Sequence, residues 1–296
     1  MKLLTILKDK KEVLGIKTNK GIIDLEETLS LNPNVNIPTD VMGVINSGKK
    51  VVKEIEEYIA QLSTESITYV NESDINWGSA VTAPNKIICV GLNYRRHADE
   101  TNSPYPETPI LFNKFNNALT GHKQDIKVPK TTSKLDYEVE LGIVIGETAK
   151  SVPKEVALDH VFGYVAVNDL SARDLQFVSS QWLLGKCCDD FSPVGPYLVT
   201  SDEVGDPNKL QLRTVVNGEE RQNSNTLDMI FYCDEIISYI SKYMTLTPGD
   251  LILTGTPEGV VMGEPEGEQV YLKPGDEVTV EIEKLGSLTN RFISED

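Results

Sequence analysis

A row of alternating acids that leads directly into an apolar run constrains this chain more than any other stretch. Residues 135–141 read Leu-Asp-Tyr-Glu-Val-Glu-Leu, and Gly-Ile-Val-Ile-Gly follows them. A β-strand directs alternate side chains to opposite faces, so Asp136, Glu138 and Glu140 are expected to share one face. The apolar run indicates that this strand enters a core, where unpaired charge is costly. The alternative is an edge strand whose acids are solvated.

A bound cation would relieve the repulsion among these carboxylates. Oxygen ligands favour hard ions such as Mg²⁺, Mn²⁺ or Ca²⁺ over zinc, and Mg²⁺ keeps positions open for water or substrate oxygens. A second apolar run, residues 161–167, ends abruptly in Asn168 and Asp169. Because an acid at the end of a buried strand can reach such a site, Asp169 is the predicted third ligand.

The charge of the chain limits its partners. A formal net charge of -17 argues against nucleic acid or an anionic membrane, since both would repel the surface. An anionic substrate would then need a local positive group. Lys186 could supply it, and a solvated surface lysine is the alternative.

The sequence contains no segment near the length of a membrane span, and its first residues lack the apolar run of a signal peptide. A cytoplasmic protein is therefore expected. The four cysteines have no C-x-x-C spacing and are expected to be reduced, mostly buried thiols.

The chain is expected to form two units. Residues 1–80 would be a small α/β module, with a three-stranded meander at 3–7, 13–17 and 21–25 and a helix over 39–62 capped by Thr39 or Asp40. Residues 81–296 would form the larger, β-rich unit. Its predicted features are a helix capped by Ser171, a hairpin at Asn217-Gly218, a helix over 227–243, and strands after Pro-Gly-Asp turns at 248–250 and 274–276.

A second candidate for chemistry follows the apolar run at residues 87–91. If Tyr94-Arg-Arg-His-Ala-Asp-Glu100 is a short helix, His97 and Glu100 share a face, and the carboxylate can orient the imidazole and raise its basicity. This arrangement suits a general base, and two exposed side chains paired by chance are the alternative. The polar stretch 93–104 has little to bury and predicts a mobile lid. His122 and His160 have no such neighbour and are interpreted as structural or solvated.

These features occur together with further motifs in a fixed order. The motifs are Asn93-Tyr94-x-x-His97-x-x-Glu100, Asp136-Tyr137-Glu138-x-Glu140-Leu141, Gly163-Tyr164 with Asn168-Asp169, Ala172-Arg173-Asp174-x-Gln176, Gly185-Lys186, and Gly249-Asp250 through Val260. Over residues 84–292 the chain resembles the fumarylacetoacetate hydrolase family, and most closely its shorter, bacterial-type members with a small N-terminal module.

The resemblance implies a β-rich α+β fold, a mixed and barrel-like β-roll, in a homodimer. It implies that Glu138, Glu140 and Asp169 bind Mg²⁺ or Mn²⁺. It implies further roles at six positions: an acid–base pair of His97 and Glu100 on a lid, a substrate contact by Lys186, and a pocket lined by Arg173, Gln176 and Thr256. The stretch Lys114-Phe115-Asn116-Asn117 departs from the Lys-Pro and small hydroxyl residue common in similar proteins, so no contact is carried over from it.

Three kinds of function are compatible with these residues, all with a small anionic 2-oxo acid as ligand. A metal-dependent hydrolase would cleave a C–C bond of an acylpyruvate or fumarylacetoacetate-like 2,4-diketo acid, with His97 activating water. An oxaloacetate decarboxylase, or an isomerase or lyase on a related 2-oxo acid, would pass through the same type of enolate. A binding protein without turnover is the third kind, and the His97/Glu100 pair disfavours it because a binder needs no general base.

Overall fold

The computed structural model describes residues 1–9, 11–34 and 36–295. The strands are β1 (Lys2–Lys8), β2 (Lys11–Thr18), β3 (Gly21–Asp24), β4 (Tyr69–Val70), β5 (Ile87–Gly91), β6 (Ile110–Lys114), β7 (Leu119–Thr120), β8 (Asp125–Val128), β9 (Leu135–Asp136), β10 (Val139–Ile145), β11 (Val161–Asn168), β12 (Ser171–Ala172), β13 (Ser192–Thr200), β14 (Gln211–Val216), β15 (Glu219–Asn225), β16 (Leu251–Leu253), β17 (Glu277–Ile282) and β18 (Gly286–Ser294).

The α-helices are α1 (Leu25–Leu31), α2 (Val41–Ser47), α3 (Lys49–Gln61), α4 (Arg95–Glu100), α5 (Arg173–Gln176), α6 (Leu183–Lys186), α7 (Ser201–Val204) and α8 (Cys233–Tyr243). Short 3₁₀ turns cover Thr64–Ser66, Glu72–Asp74, Asn116–Ala118, Lys154–His160, Pro207–Lys209, Thr226–Asp228 and Val261–Gly263. None of the helices in the described ranges combines the length and apolarity that a membrane crossing requires.

Two open sheets organise the fold. An eleven-stranded sheet has the order β4-β3-β2-β1-β13-β11-β10-β16-β5-β6, with β7 paired to β13. A five-stranded sheet has the order β15-β14-β17-β18-β8, and β9 and β12 form a two-stranded ribbon. The expected β-rich mixture of helix and strand is confirmed, and over the described residues neither large sheet closes into a barrel.

The two central strands, β10 and β11, are buried along their whole length. On one face Leu141 and Ile143 belong to the core that contains Val280 of the five-stranded sheet. On the other face Val165 belongs to the core that contains Ile55 of α3. Burial on both faces explains why these strands read as continuous apolar runs rather than as an alternation.

The predicted N-terminal meander is confirmed, since β1, β2 and β3 pair in antiparallel order. β1 also pairs with β13, where Lys2 lies opposite Val199 and Leu3 opposite Leu198. The meander therefore continues the large sheet, and the domain boundary near residue 80 stays a prediction.

Three predicted helices differ in the structure. The helix expected over 39–62 is divided into α2 and α3 at Gly48, whose φ of 77° is left-handed, and Asp40 caps α2 by accepting from the Gly43 N–H. Ser171 does not cap a helix, because its hydroxyl donates to the Asp169 carbonyl and its backbone pairs with Asp136.

The helix expected over 227–243 begins only at Cys233. The preceding residues are held elsewhere, since the N–H groups of Ile230 and Phe231 donate to the backbone and side-chain oxygens of Asn93. The Asn217-Gly218 hairpin joins β14 to β15 as expected, and the two Pro-Gly-Asp turns precede β16 and β17. The four cysteines are free thiols, and Cys89 and Cys233 are buried.

His122 packs in the turn between β7 and β8. Its ring meets Trp77 edge-on at a centroid distance of 4.9 Å, and its Nδ1 accepts from the Thr289 N–H at 3.0 Å. Burial, with the Lys123 charge, lowers the pKa of His122 from 6.5 to about 4. The interpretation of His122 as a structural residue agrees with these contacts.

His122 is expected to make the fold less stable as the pH falls. The unfolded chain takes up this proton near pH 6.5 and the folded protein only near pH 4, so stability is lost as pH falls from about 6.5 through about 4. In His122→Asn a side-chain oxygen can replace Nδ1 as acceptor without titrating. Urea unfolding at pH 7.5 and 5.5 should show an extra loss on the order of 1 kcal/mol in the unsubstituted protein relative to the variant. An equal loss in both proteins would contradict the assignment.

Candidate functional site

The pairing of β10 with β11 brings the predicted acids together. Val139 lies opposite Asn168, so Glu138 and Asp169 flank the same end of the strand pair. The Asn168 side chain accepts from the Glu138 N–H at 3.0 Å, and the Asp169 N–H donates to the Glu138 carbonyl at 2.8 Å. These two hydrogen bonds fix the backbone positions from which the Glu138 and Asp169 side chains extend.

Glu138, Glu140 and Asp169 form a buried carboxylate cluster. Each residue offers an oxygen that lies within 4.8 Å of those of the other two. Mg²⁺–oxygen distances of about 2.1 Å place the ligand oxygens of an octahedron about 3 to 4 Å apart, which such a cluster can match. Asp136, which the sequence places on the same face, instead pairs with Arg173 at 2.8 Å.

Basic side chains compensate two of the three clustered acids. Lys186 Nζ lies 2.7 Å from Glu138 and 2.9 Å from Asp169, and Arg173 lies 2.7 Å from Glu138. Lys114 pairs with the other oxygen of Asp169 and donates to the Phe191 carbonyl at 2.7 Å.

Glu140 lacks such a partner. Its carboxylate accepts from the Gly255 N–H at 2.7 Å, and no basic side chain of the described residues forms an ion pair with it.

The electrostatics of the cluster follow from these contacts. Burial alone would raise the pKa of Glu138, but the Lys186 and Arg173 charges outweigh it and hold that pKa at about 2. Burial, with the negative charges of Asp169 and Glu138, raises the pKa of Glu140 well above its ordinary value. The cluster carries three carboxylates against the two ammonium groups of Lys114 and Lys186, because Arg173 is offset by Asp136. One negative charge is therefore uncompensated, which fits a divalent cation.

The predicted acid–base pair lies on α4. His97 Nδ1 is 2.7 Å from Oε1 of Glu100, and Oε2 of Glu100 accepts from the Gly259 N–H at 2.9 Å. An ionised carboxylate only accepts, so Nδ1 donates and Nε2 of a neutral ring is left as an acceptor. The lid expectation fails in one respect: Asn93, Tyr94, His97 and Ala98 are buried, so the first half of this stretch is packed.

A single cleft collects most of the predicted residues. It has about 140 Å³ of space for solvent, and its walls include His97, Glu138, Glu140, Arg173, Gln176, Lys186 and Thr256. Asp169 and Glu100 do not line the cleft, but each contacts a residue that does: Asp169 contacts Lys186, and Glu100 contacts His97. Aromatic side chains, Phe112, Phe177 and Trp182, form much of the remaining wall. The structure thus brings all nine predicted site residues to one place, and their roles stay predictions.

The model of the fumarylacetoacetate (FAA) hydrolase C-terminal family matches residues 86–293. The chain belongs to the fumarylacetoacetate hydrolase family. The match covers both central strands and every residue of the cleft, so the resemblance inferred from spaced motifs is confirmed. The N-terminal meander lies outside it.

Named relatives of this family member are enzymes that act on small acids. The mitochondrial oxaloacetate tautomerase FAHD2A of Bos taurus is 40% identical over 285 residues, which are 95% of this chain and 87% of the bovine protein. The 2,4-didehydro-3-deoxy-L-rhamnonate hydrolase of Sphingomonas sp. (strain SKA58) is 42% identical over 256 residues, 83% of this chain and 89% of the relative.

A solved structure adds a ligand-bound relative. The maleylpyruvate hydrolase from Sphingobium sp. SYK-6, in complex with manganese(II) and pyruvate, matches with a TM-score of 0.80 and 28% identity, and 100% of both chains is covered. The manganese(II) bound to that relative and the buried acids of this chain are the basis of the divalent-metal site proposed below. The identity of the ion is part of the proposal below.

Three residues of the site were missed by sequence reasoning. Lys114 was set aside because the residues after it depart from the family pattern, although its place at the end of an apolar run was a usable signal. Asp136 was expected on the same face as Glu138 and Glu140, and its pairing with Arg173 was not predicted. Gln222 gave no signal in the polar strand β15, yet its buried amide donates to Thr256 Oγ1 at 2.9 Å and accepts from the Val139 N–H at 3.0 Å.

Glu140→Gln is expected to separate ion binding from folding. The change removes a carboxyl whose ionised form the fold disfavours, as its raised pKa indicates, so the metal-free protein should become more stable by about 1 to 3 kcal/mol. The same change should abolish the rise in Tm that Mn²⁺ produces and weaken Mn²⁺ binding in calorimetry by at least about tenfold. Exposed Glu147 provides the matched control, Glu147→Gln, which should alter neither quantity. Undiminished Mn²⁺ affinity in Glu140→Gln would remove this residue from the site.

Proposed function

We propose that this chain is a Mg²⁺- or Mn²⁺-dependent enzyme acting on a small 2-oxo acid, with keto–enol isomerisation of oxaloacetate as the first candidate. One observation carries the proposal: a buried cluster of three carboxylates with an uncompensated charge shares a small cleft with the His97/Glu100 pair. A bovine relative that aligns with 95% of the chain is named an oxaloacetate tautomerase, which supports this choice of substrate.

Glu138, Glu140 and Asp169 would hold the divalent ion. When bound, that ion would supply a Lewis acid that favours negative charge on the oxygens of a 2-oxo acid. Lys114 and Lys186 would keep the carboxylates of Asp169 and Glu138 in fixed orientations. The positive charge of Lys186 at the cleft wall would also attract an anionic substrate.

His97 would carry the proton. Its Nε2 would take a proton from C3 of the keto acid and return it to the oxygen at C2, which converts keto to enol with no net change in protons. Glu100 would keep Nδ1 protonated, so that the ring presents Nε2 as the base, and it would stabilise the imidazolium that forms. Gln176 and Thr256, which also line the cleft, would contribute hydrogen bonds to substrate oxygens.

The size of the cleft supports a small substrate. Pockets for drug-sized ligands typically measure about 300 to 1,000 Å³, whereas this cleft offers about 140 Å³. A four-carbon acid is suited to this space.

Hydrolysis of a 2,4-diketo acid is the second candidate. The Sphingomonas relative at 42% identity is named a hydrolase of a 2,4-didehydro-3-deoxy sugar acid, and the maleylpyruvate hydrolase superimposes over the whole chain. In this reaction Nε2 of His97 would take a proton from water as the water attacks the distal carbonyl at C4. The C3–C4 bond would then break, and return of the proton to C3 would give pyruvate and a second carboxylic acid.

A substrate panel with Mn²⁺ separates the candidates. Enol oxaloacetate should lose its ultraviolet absorbance faster with the protein than without it, and pyruvate should form no faster than in Mn²⁺ alone. Pyruvate formed from oxaloacetate faster than in that control would indicate decarboxylation instead, and pyruvate from an acylpyruvate would indicate hydrolysis. Absence of all three reactions would overturn the proposal. The homodimer and the cytoplasmic location are further proposals, to be tested by light scattering and by fractionation.

His97→Ala is expected to lower kcat by about 10² to 10⁴, the usual effect of losing a general acid–base group, with Mn²⁺ affinity unchanged. Glu100→Gln should cost less, because the imidazole survives and loses only its orienting charge. Since the carboxylate acts only through the histidine, the double variant should be little worse than His97→Ala. Steady-state kinetics of the four proteins tests this order, and additive losses would mean two independent roles.

A further inference from the structure

Oε2 of Glu100, the oxygen not bonded to His97, contacts a short backbone segment. The Gly259 N–H donates to Oε2 of Glu100 at 2.9 Å, and Gly263, the last residue of the 3₁₀ turn Val261–Gly263, lies directly against the carboxylate. A β-carbon at position 263 would stand 2.6 Å from Cδ and Oε2 of Glu100, far inside van der Waals contact. Glycine at 263 therefore leaves the space that the carboxylate occupies.

The backbone conformation does not explain this glycine. Gly263 is absent from the positive-φ residues of the described chain, so an alanine can adopt its conformation. The contact with Glu100 is the remaining reason for the missing side chain.

Buried side chains pin the segment Gly259–Gly263. The carboxylate of Asp136, fully buried, accepts from the N–H groups of Val261 and Met262 at 2.9 and 3.1 Å. The Tyr137 hydroxyl donates to the Gly259 carbonyl at 3.0 Å. Asp136 also holds Arg173, which contacts Glu138. The segment is thus fixed to the carboxylate cluster, whereas the Glu100 carboxylate is the far end of a side chain that can rotate.

We propose that segment Gly259–Gly263 is a seat that positions Glu100, and through it His97, relative to the carboxylate cluster. Gly263 is a positioning residue in this seat: a side chain there displaces Glu100 rather than the pinned backbone. The inference rests on the proposed acid–base role of His97. It adds that segment Gly259–Gly263 sets the alignment of His97 with Glu100. Asp136, at least 123 positions earlier in the chain, anchors this segment.

The experiment compares Gly263→Ala, Glu100→Ala and their combination with the unsubstituted protein. Gly263→Ala should lower kcat by about ten- to a hundredfold, the scale expected when a base loses its orienting group, with KM and Mn²⁺ affinity unchanged. In the Glu100→Ala background the same change should alter kcat less than about twofold, because the atoms it would strike are gone. Exposed Glu264 offers the neighbouring control, Glu264→Ala, which should have unchanged kinetics.

Two results would overturn the seat. One is full activity in Gly263→Ala, and the other is an equal loss with and without Glu100. If Gly263→Ala does not fold, recovery of folding in the double variant supports the clash with Glu100, and failure of both variants refutes it.

A spectroscopic measurement separates this inference from the proposed function. The chain has three histidines, so ¹⁵N-histidine labelling gives few signals. The Nδ1 proton of His97, bonded to Glu100, should give a downfield resonance that Gly263→Ala and Glu100→Ala both remove and Glu264→Ala keeps. If the unsubstituted protein turns over none of the tested substrates, the substrate proposal fails. Loss of the resonance in Gly263→Ala would still support the seat. A resonance retained in Gly263→Ala would sink the seat whatever the activity.

Discussion

Repulsion among three buried carboxylates is the constraint that the rest of the site satisfies. Unpaired charges in a low-dielectric interior cost several kcal/mol each, so the cluster exists only because other elements supply positive charge. Lys114 comes from the end of β6, Arg173 from α5 and Lys186 from α6. Three separate elements must therefore be in place before the carboxylates of Glu138 and Asp169 have their ion-pair partners. Glu140 has no basic partner among the described residues, so a bound cation would supply the missing positive charge.

The parts of this arrangement that follow from local pattern could be predicted from the sequence. The alternating acids at the start of β10, the acid after β11, and the three-residue spacing of His97 and Glu100 each depend on local backbone geometry. The turns at Asn217-Gly218 and at the two Pro-Gly-Asp sites likewise depend on neighbouring residues. The spaced motifs then indicated the family, because their order along the chain is hard to produce by chance.

What escaped prediction depends on contacts between distant segments. Asn93 accepts hydrogen bonds from the N–H groups of residues 230 and 231, which therefore do not join the helix that their sequence favours. Gly48 divides a second helix, although the apolar spacing of its sequence is continuous. Asp136 carries the same charge as Glu138 and is expected on the same face, but an arginine 37 positions later and two backbone N–H groups 125 and 126 positions later determine what it binds. The periodicity of a sequence predicts which face of an element a side chain lies on. It does not predict which residue of another segment that side chain contacts.

The pairing of β1 with β13 also has a consequence for how the protein is made. Residue 2 lies opposite residue 199, and Ile87 of β5 lies opposite Leu251 of β16 in a parallel pair. Loop closure across such separations delays folding, and during synthesis the early strands leave the ribosome long before their partners. For that interval β1 and β5 expose unpaired backbone edges on apolar strands, which favour association with other chains. Translation speed and chaperone supply, rather than the stability of the finished fold, are then expected to limit the yield of active protein.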